Sequence, residues 1–591
     1  MCIMQFVIVS FVFSCFLKSG FSILTEQEYA QIPPLHDMDD FSTCLKENKI
    51  VCRIYFDIFP TNSTSNNAWS IIQKSKKSDL SQFRKDKLKR FRCLPNSLLG
   101  EEEEIAKSVV ATENELLKNY SLQVNIQELY CKSYSDIKLT SFDFAVLFGT
   151  IALLVILISA TMIDARYIEV AEAIMGKTAV KYIKYFSFVS NWRELIRSTS
   201  KDGQKLKAIQ GMRVLSTMSV IHLHISLTLL IYFMKNPIFV EQLMNTERMG
   251  YGQIGFGFGT YVVQVTFLIS GWLLANSVQK YITRKEDFSI KAVIHLIVYR
   301  YLRFFPVMFI LQCWERSNWF HVKHTLPYDV WEMDRIACKK YWWRSLLLIS
   351  NFFEGFEQCN TAVWSLANDF QMYVISVCLF YIIFKYKKSL MLFVYMTAVF
   401  GSIHGYEMYK HGHQHILAFV GERDLDASGL FGKGRFIVMY SSLYVNFGSY
   451  AIGVIFGSFY NKYKNMKIED SLRNNILWAC FMFVLPSIIL YMATFTYSAL
   501  WAAIIGPFVK PTISLCLSIG IFGMVFGLGG FFRRFCESHF MQLIANWQYS
   551  VYLVHLGVVF MKVVFVQHLF YVSLSKMVGV MRMFPVPDVM C

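Results

Sequence analysis

The stretch Phe142–Ile163, FDFAVLFGTIALLVILISATMI, decides the fold of this chain. A helix of this length crosses a hydrocarbon layer of about 30 Å, and its only charged residue, Asp143, stands at its first turn. Nine further apolar stretches of similar length follow, so the sequence predicts an all-α polytopic membrane protein with about 10–11 transmembrane helices. These stretches are 211–233, 256–276, 292–312, 362–384, 389–405, 436–458, 476–497, 505–528 and 545–566.

The overall composition agrees with membrane insertion. Of the 591 residues, 54% are hydrophobic and only 17% are charged, whereas soluble domains carry roughly 25% charged residues. The formal net charge is +16, but the basic residues lie mostly in short loops and no nucleic-acid-binding motif accompanies them. We therefore interpret the charge as a topology signal and expect no nucleic-acid partner.

Residues 1–22 resemble a signal peptide, with a short apolar run from Ile3 to Leu17 followed by small residues. A short anchoring helix is the alternative. Residues 23–141 are polar and mixed, which predicts one small domain. Its cysteines and two glycosylation sequons predict an extracellular or lumenal position and two disulfides in any of three connectivities. The residues concerned are Cys44, Cys52, Cys93 and Cys131, with the sequons at Asn62 and Asn119.

The loops between the apolar stretches alternate in charge. The linker 164–207 and the later inward loops are basic, which predicts a cytosolic position for them. The transmembrane domain is then expected at 208–591. The membrane expected is the plasma membrane or the endoplasmic reticulum. Cys338 and Cys359 share an outward loop and are candidates for a third disulfide. Three histidines in the outward loop 404–435 are more typical of a solvated loop than of a metal site. They are His411, His413 and His415.

Ionisable residues inside the predicted spans are the candidate functional groups, because each costs on the order of 2.5–3.5 kcal/mol to insert. Arg213 and His224 are eleven residues apart, which places them on one helix face about 16 Å apart along the axis. His222 faces the opposite way. This geometry is typical of an anion anchor and a buried acid or base. The alternative is a snorkelling arginine and a histidine that hydrogen-bonds within the bundle.

Arg300 and Arg303 share a face of the fourth span and could hold a phosphate or pyrophosphate. Pairing with Asp369 or Asp143 is the alternative. One stripe of the fifth span carries Ser365, Asp369 and Tyr373. For Asp369, a structural bridge to an arginine is as consistent with the pattern as a catalytic acid. Tyr552 and His555 share a face of the last span, with a packing role as the alternative.

These residues together resemble the acyltransferase 3 family, and within it the invertebrate nose-resistant-to-fluoxetine proteins. Arg213 with His224 is similar to the family's Arg-x10-His motif. Four further elements follow in the family's order, and CLPNS at 93–97 with ELYC at 128–131 is similar to that subfamily's extracellular domain. The four are FLISGWLL at 267–274, RYLRFFP at 300–306, WSLANDFQMY at 364–373 and YLVH at 552–555.

The resemblance implies an O-acyltransferase that passes an acyl group, other than an aminoacyl group, from acyl-CoA to a hydroxyl of a lipid, sugar or small molecule. It implies membrane lipids, the donor and the acceptor as partners, and no metal or prosthetic group. It assigns catalysis to His224, Asp369 and His555, with His224 as base or transient acyl carrier. Substrate binding falls to Arg213, Arg300, Arg303, Tyr373 and Tyr552.

The chain departs from the family in two carboxylates and at its end. Gln210 and Gln264 stand where the family usually has Asp, which predicts weaker orientation of an arginine or weaker proton handling. Residues 567–591 contain no apolar stretch for the family's usual further helix. The two glutamines favour a competing hypothesis, in which the protein takes up or transports lipids or amphipathic xenobiotics without acyl transfer. A catalytically silent homologue is the third alternative.

Overall fold

The computed structural model describes most of the chain. The described ranges are 24–47, 49–61, 67–77, 82–98, 100–132, 138–196, 206–231, 233–245, 251–285, 288–319, 329–353, 357–417, 434, 436–466, 468–564 and 569–573. The expected signal peptide, the sequon at Asn62, much of the loop 404–435 and most of 567–591 lie outside these ranges.

The N-terminal domain is built around a mixed sheet, so the all-α description applies to the membrane part. The strand order is β1-β3-β2-β4, with β2 antiparallel to both neighbours and β1 parallel to β3. Four helices accompany the strands. In chain order the elements are α1 (Glu26–Ala30), β1 (His36–Met38), α2 (Phe41–Lys46), β2 (Ile50–Pro60), α3 (Asn67–Lys76), β3 (Lys87–Leu94), α4 (Glu102–Leu117) and β4 (Leu122–Lys132).

Alternation along β2 explains why this segment forms the central strand. Ile54, Phe56 and Ile58 point to one face and are almost fully buried, because successive side chains of a strand point to opposite faces. That face packs in one apolar cluster with Ile105 and Val109 of α4. This sheet was not predicted from the sequence, because the apolar runs of its strands are short and interrupted.

The structure selects one of the three disulfide connectivities. Cys52 pairs with Cys131, which is its direct neighbour in the register between β2 and β4, and Cys44 joins α2 to Cys93 on β3. The expected third bridge, Cys338–Cys359, is also present. The second sequon, Asn119, is exposed in a short turn before β4.

The remaining chain is helical and confirms a polytopic membrane protein. Seven helical segments of the described residues are long and apolar enough to cross a membrane, namely Ser141–Arg166, Tyr261–Arg284, Ile290–Arg316, Val363–Lys385, Ile437–Tyr463, Leu472–Ala493 and Ala499–Val525. The helices are α5 (Ser141–Arg166), α6 (Ile168–Lys184), α7 (Phe188–Ile196), α8 (Lys207–Ile231), α9 (Pro237–Met244), α10 (Tyr251–Lys285), α11 (Ile290–Arg316), α12 (Asp329–Leu346), α13 (Val363–Lys385), α14 (Met391–Lys410), α15 (Leu443–Tyr463), α16 (Leu472–Ala479), α17 (Leu485–Ala493), α18 (Ala499–Val525), α19 (Gly530–Cys536) and α20 (His539–Val564).

Three further predicted spans also form helices. They are α8, α14 and α20, which correspond to the predicted spans 211–233, 389–405 and 545–566. Two of them, α8 and α20, pack against each other and carry the candidate histidines. The candidate histidine of each of these two helices therefore faces a helix partner.

Small residues bring α10 and α15 into backbone contact at the centre of the bundle. A Cβ atom on Gly453 would lie 1.9 Å from the carbonyl oxygen of Leu268, and one on Gly271 would lie 2.2 Å from that of Tyr450. Such close approach is typical of small-residue interfaces between membrane helices. The glycine in the FLISGWLL element is therefore required by packing, and this contact holds the neighbouring Ser270 beside α11.

Replacement of Gly453 by valine should abolish this packing, because the clash is with backbone that cannot rotate away. Overpacking of a well-packed core costs about 1–3 kcal/mol when side chains can adjust, and we expect at least the upper figure here. Size-exclusion chromatography and the melting temperature in detergent would measure the loss of folded protein. Gly149→Val on the lipid-facing helix α5 is the matched control, since nothing lies within 4 Å of its added Cβ. Equal behaviour of the two variants would contradict the expectation.

The N-terminal domain is docked on one end of the α8 and α20 pair. Lys85 and Glu241 of α9 form a fully buried ion pair, and the backbone N–H of Phe83 donates to the same carboxylate at 2.9 Å. The buried apolar cluster of the domain continues into Leu223 of α8 and Val559 of α20. The domain therefore covers the helix ends nearest to the candidate histidines.

Asp334 is a half-buried acid beside the Cys338–Cys359 bridge, outside the seven spans. Burial raises the pKa of Asp334 to about 7, although the backbone N–H of Asn360 donates to its carboxylate at 3.1 Å and acts in the opposite direction. Since the folded pKa lies above the ordinary value of 3.8, the folded state binds the proton more tightly than the unfolded state. The stability from this group is therefore full below about pH 4 and is lost as the pH rises towards 7.

We expect the melting temperature of the wild type to fall across this interval and the fall to be smaller in Asp334→Asn, whose side chain does not titrate. The effect corresponds to a few kcal/mol at most, since one pKa unit is about 1.4 kcal/mol. Melting curves in detergent at a series of pH values would test it. An unchanged slope in Asp334→Asn would show that other groups cause the fall.

Candidate functional site

Arg300 is held by a carboxylate, a hydroxyl and an aromatic ring. Its Nη2 donates to Asp369 Oδ2 at 2.5 Å and to Ser270 Oγ at 2.8 Å, and its guanidinium lies over the Tyr373 ring at 4.3 Å from the centroid. Asp143, the other acid considered as a partner, instead accepts from Asn318 at 2.7 Å. The structure thus brings Arg300, Asp369 and Tyr373 together, in the arrangement that the sequence offered as a structural alternative.

The two histidines of α8 and α20 form a directed hydrogen-bond chain. His224 Nδ1 lies 2.6 Å from His555 Nε2, and His555 Nδ1 lies 2.5 Å from the carbonyl oxygen of Tyr552. A carbonyl oxygen only accepts, so His555 Nδ1 must carry a proton. In a neutral His555 ring the Nε2 atom then accepts, and His224 Nδ1 must donate to it.

This chain fixes the tautomer of His224 and leaves its Nε2 lone pair free. Nε2 has no hydrogen-bond partner within the part of the chain that the structure describes. His224 is partly buried, whereas His555 is almost completely buried at 1% exposure. An imidazole oriented through one nitrogen and open at the other is the arrangement that a general base requires.

Tyr552 links the last helix to the fifth predicted span. Its hydroxyl lies 2.5 Å from Ser365 Oγ, and Ser365 Oγ in turn donates to the carbonyl oxygen of Ala362 at 3.0 Å. The Tyr552 hydroxyl is therefore the donor to Ser365. Together with the contact of its backbone carbonyl to His555, this bond ties α13 to the histidine chain.

Two arginines of the site have no carboxylate partner among the described residues. Arg213 Nη1 donates to Gln210 Oε1 at 2.9 Å, and Arg303 is exposed on α11. Arg213 lies within electrostatic range of Arg303, Arg300 and Asp369. The neutral Gln210 thus still orients the arginine but leaves its charge uncompensated, which favours an anionic ligand at this position.

The second departure from the family, Gln264, lies in a buried polar cluster that sequence reasoning missed. Gln264 Nε2 donates to Asn446 Oδ1 at 2.8 Å, and Lys510 Nζ donates to the same oxygen at 3.1 Å. Lys510 is 5% exposed, and no carboxylate lies at ion-pair distance from it in the described ranges. A lysine within an apolar stretch was the available signal.

A second bond that the sequence did not indicate joins the two histidine helices. Gln548 Nε2 of α20 donates to Thr217 Oγ1 of α8 at 2.6 Å, and both side chains are buried. This bond lies two helical turns from His555 and fixes the register between the helices. Amide and hydroxyl residues are common in spans, so no sequence pattern distinguished this pair.

A family model described as an acyltransferase domain, that of acyltransferase 3, matches residues 206–581. The matched range contains the arginines, Asp369 and both histidines described above. No curated protein and no solved structure matches the chain.

Proposed function

Because the chain belongs to the acyltransferase 3 family, we propose that it is a membrane-embedded O-acyltransferase. It would transfer an acyl group, other than an aminoacyl group, from acyl-CoA to a hydroxyl of a lipid, sugar or small molecule. The single observation that carries this proposal is the hydrogen-bond chain from Tyr552 O through His555 to His224. It supports a neutral, oriented imidazole with one free nitrogen.

In this proposal His224 Nε2 accepts the proton of the acceptor hydroxyl while the hydroxyl oxygen attacks the thioester carbon. The carbon–sulfur bond then breaks, and the imidazolium returns the proton to the departing CoA thiolate. His555 stabilises the imidazolium by accepting from Nδ1 throughout. The roles of His224 and His555 resemble those of a base and the group that orients it.

The arginines would hold the donor. Arg213 and Arg303 lack acidic partners in the described residues and are close enough to interact, as expected for the diphosphate and phosphate groups of CoA. Arg300 is already paired with Asp369, so we assign Asp369 the positioning of Arg300 rather than proton transfer. Tyr373 supports the same guanidinium from its ring face.

The charge of the loops and the disulfides support one orientation in the membrane. We propose that the N-terminal domain is extracellular or lumenal, where disulfides persist and where Asn119 would be available for glycosylation. The basic segments at the other end of α5 would then face the cytosol. That side is where acyl-CoA is available to Arg213 and Arg303.

The purified protein in nanodiscs should bind CoA, with lower affinity in Arg213→Gln and in Arg303→Gln. Removal of one charge-assisted contact to phosphate costs about 1.5–3 kcal/mol, or roughly tenfold or more in Kd. Binding of radiolabelled CoA and release of CoA from acetyl-CoA and longer acyl-CoAs would be measured. Lys107→Gln in the N-terminal domain is the matched loss of one exposed charge. A folded wild type that neither binds nor turns over acyl-CoA would contradict the proposal and favour uptake of lipids or xenobiotics.

A further inference from the structure

The segment after the first span forms two short helices with exposed apolar faces. In α7, Phe188, Trp192 and Ile196 are spaced four residues apart, and their exposed fractions are 62%, 39% and 46%. At 100° per residue they share one face, and Glu194 lies on the opposite side. In α6, Ile174 is 78% exposed.

This segment is anchored at the level of the end of a membrane span. Asp164, in the last turn of α5, accepts from Ser187 Oγ and from Ser190 Oγ at 2.6 Å each, and Thr161 Oγ1 accepts from the N–H of Phe188 at 2.9 Å. A helix of 26 residues is about 39 Å long, so it exceeds a hydrocarbon layer of about 30 Å by a few ångströms at each end. The start of α7 therefore lies at the boundary between acyl chains and headgroups.

The exposed residues around this boundary are those that headgroup regions favour. Tyr182 and Tyr185 are 63% and 62% exposed, and Phe186 is 48% exposed. Aromatic residues are enriched at the membrane interface because one end of the ring system is apolar and the other tolerates water. Tyr182 lies in the last turn of α6, and Tyr185 and Phe186 lie in the link to α7, so these exposed rings directly precede the apolar face of α7 in the chain.

The charge that is complementary to an anionic surface lies in the second part of the segment. From Lys177 to Ile196 there are four basic residues and one acidic residue, whereas Glu169 and Glu172 lie in the first half of α6. Lys177 and Lys181 are one turn apart, both are exposed, and neither has an ion-pair partner in the described parts of the chain. Gly176 separates these lysines from the first half of α6. Its φ of 80° is a backbone conformation that residues with a Cβ rarely adopt, and it bends the chain at this point.

We propose that residues 168–196 form a membrane-surface element that binds the anionic phospholipid leaflet at the end of α5 remote from the N-terminal domain. The apolar faces enter the boundary between headgroups and acyl chains, and Lys177 and Lys181 contact lipid phosphates and carboxylates. The element is also joined to the helix of His555, because Asn546 Nδ2 donates to Leu195 O at 2.9 Å and Trp192 lies 6.4 Å from Trp547.

The depth of α7 can be measured in the full-length protein in nanodiscs. A genetically encoded fluorescent amino acid is placed at Phe188 on the apolar face or, as the matched control, at Glu194 on the opposite face. Lipids with a nitroxide near the top of the acyl chain should quench the label at 188 several-fold more than the label at 194. Equal quenching at both positions would overturn the proposal. A label at 188 that lipid quenches only after the protein is diluted would also overturn it. That result would indicate that a second copy of the protein covers the apolar face of α7.

The preference for anionic lipid is tested with Lys177→Gln and Lys181→Gln combined. Wild type should melt at a higher temperature in nanodiscs that contain phosphatidylserine than in phosphatidylcholine alone. The double variant should lose at least half of this increase, while Lys107→Gln in the N-terminal domain should keep it. An increase that is fully kept by the double variant would overturn the role of the two lysines. Both readouts are independent of acyl transfer, so they do not depend on the proposed activity.

Discussion

Replacement of His224 by alanine should reduce acyl transfer about 10²–10⁴-fold, the usual contribution of a general base. The reason is geometric, since His224 is the member of the histidine chain whose Nε2 is free while Nδ1 is bound to His555 at 2.6 Å. The melting temperature should change little by comparison, because the ring is only partly buried. Release of CoA from acyl-CoA by the purified protein would measure the effect.

His222→Ala is the matched control for this experiment. His222 lies on the same helix two residues earlier and therefore points to the other side of α8, whereas His224 is the residue stacked on His555, so removal of His222 should leave turnover within a small factor of wild type. His555→Gln, which offers an amide oxygen as acceptor, should retain more activity than His555→Phe, which offers none. A similar loss in His222→Ala and His224→Ala would show that α8 is merely sensitive to truncation and would refute the role of His224 as base.

Removal of Asp369 should destabilise the folded protein by up to about 3–5 kcal/mol, the cost of leaving one member of a largely buried ion pair without its partner. Asp369 is 8% exposed, and its Oδ2 accepts from Arg300 at 2.5 Å. Asp369→Ala would leave the guanidinium of Arg300 without its carboxylate partner between α10, α11 and α13. The melting temperature in detergent would measure the loss. Arg300→Met combined with Asp369→Leu should be less harmful than Asp369→Ala, because no charge is then left unpaired.

An exposed ion pair provides the control for this second experiment. Lys107 and Glu103 of α4 are paired at 2.8 Å with side chains 73% and 85% exposed. Glu103→Ala should therefore change stability by no more than about 0.5 kcal/mol. If Asp369→Ala and Glu103→Ala had equally small effects, the Arg300–Asp369 pair would not be a structural element of the bundle.

Much of the membrane part could be predicted because lipid imposes a simple pattern. A helix such as α5 must satisfy its own backbone hydrogen bonds and expose apolar side chains, which produces a long uninterrupted stretch. The sequence left both Asp369 and Asp143 open as acidic partners of the arginines. The structure pairs Arg300 with Asp369, whereas Asp143 accepts from Asn318.

The N-terminal domain illustrates where sequence reasoning stopped. Its four cysteines indicated two disulfides, but connectivity depends on which strands are neighbours, and Cys52 meets Cys131 only because β2 and β4 pair. Its docking on α9 through Lys85 and Glu241 joins residues far apart in sequence. No local pattern encodes that contact.

The sequence by itself determined that this chain enters a membrane, that polar side chains are retained inside its spans and that these residues occur in the order of a known family. These properties are local, because they depend on the length, hydropathy and spacing of contiguous residues. Only the tertiary structure decided that His224 donates to His555 and that Arg300 is neutralised by Asp369, whereas Arg213 and Arg303 have no acidic partner in the described residues. Those properties depend on which helices pack together, and such packing is a collective result of side-chain shape that no single stretch of sequence contains.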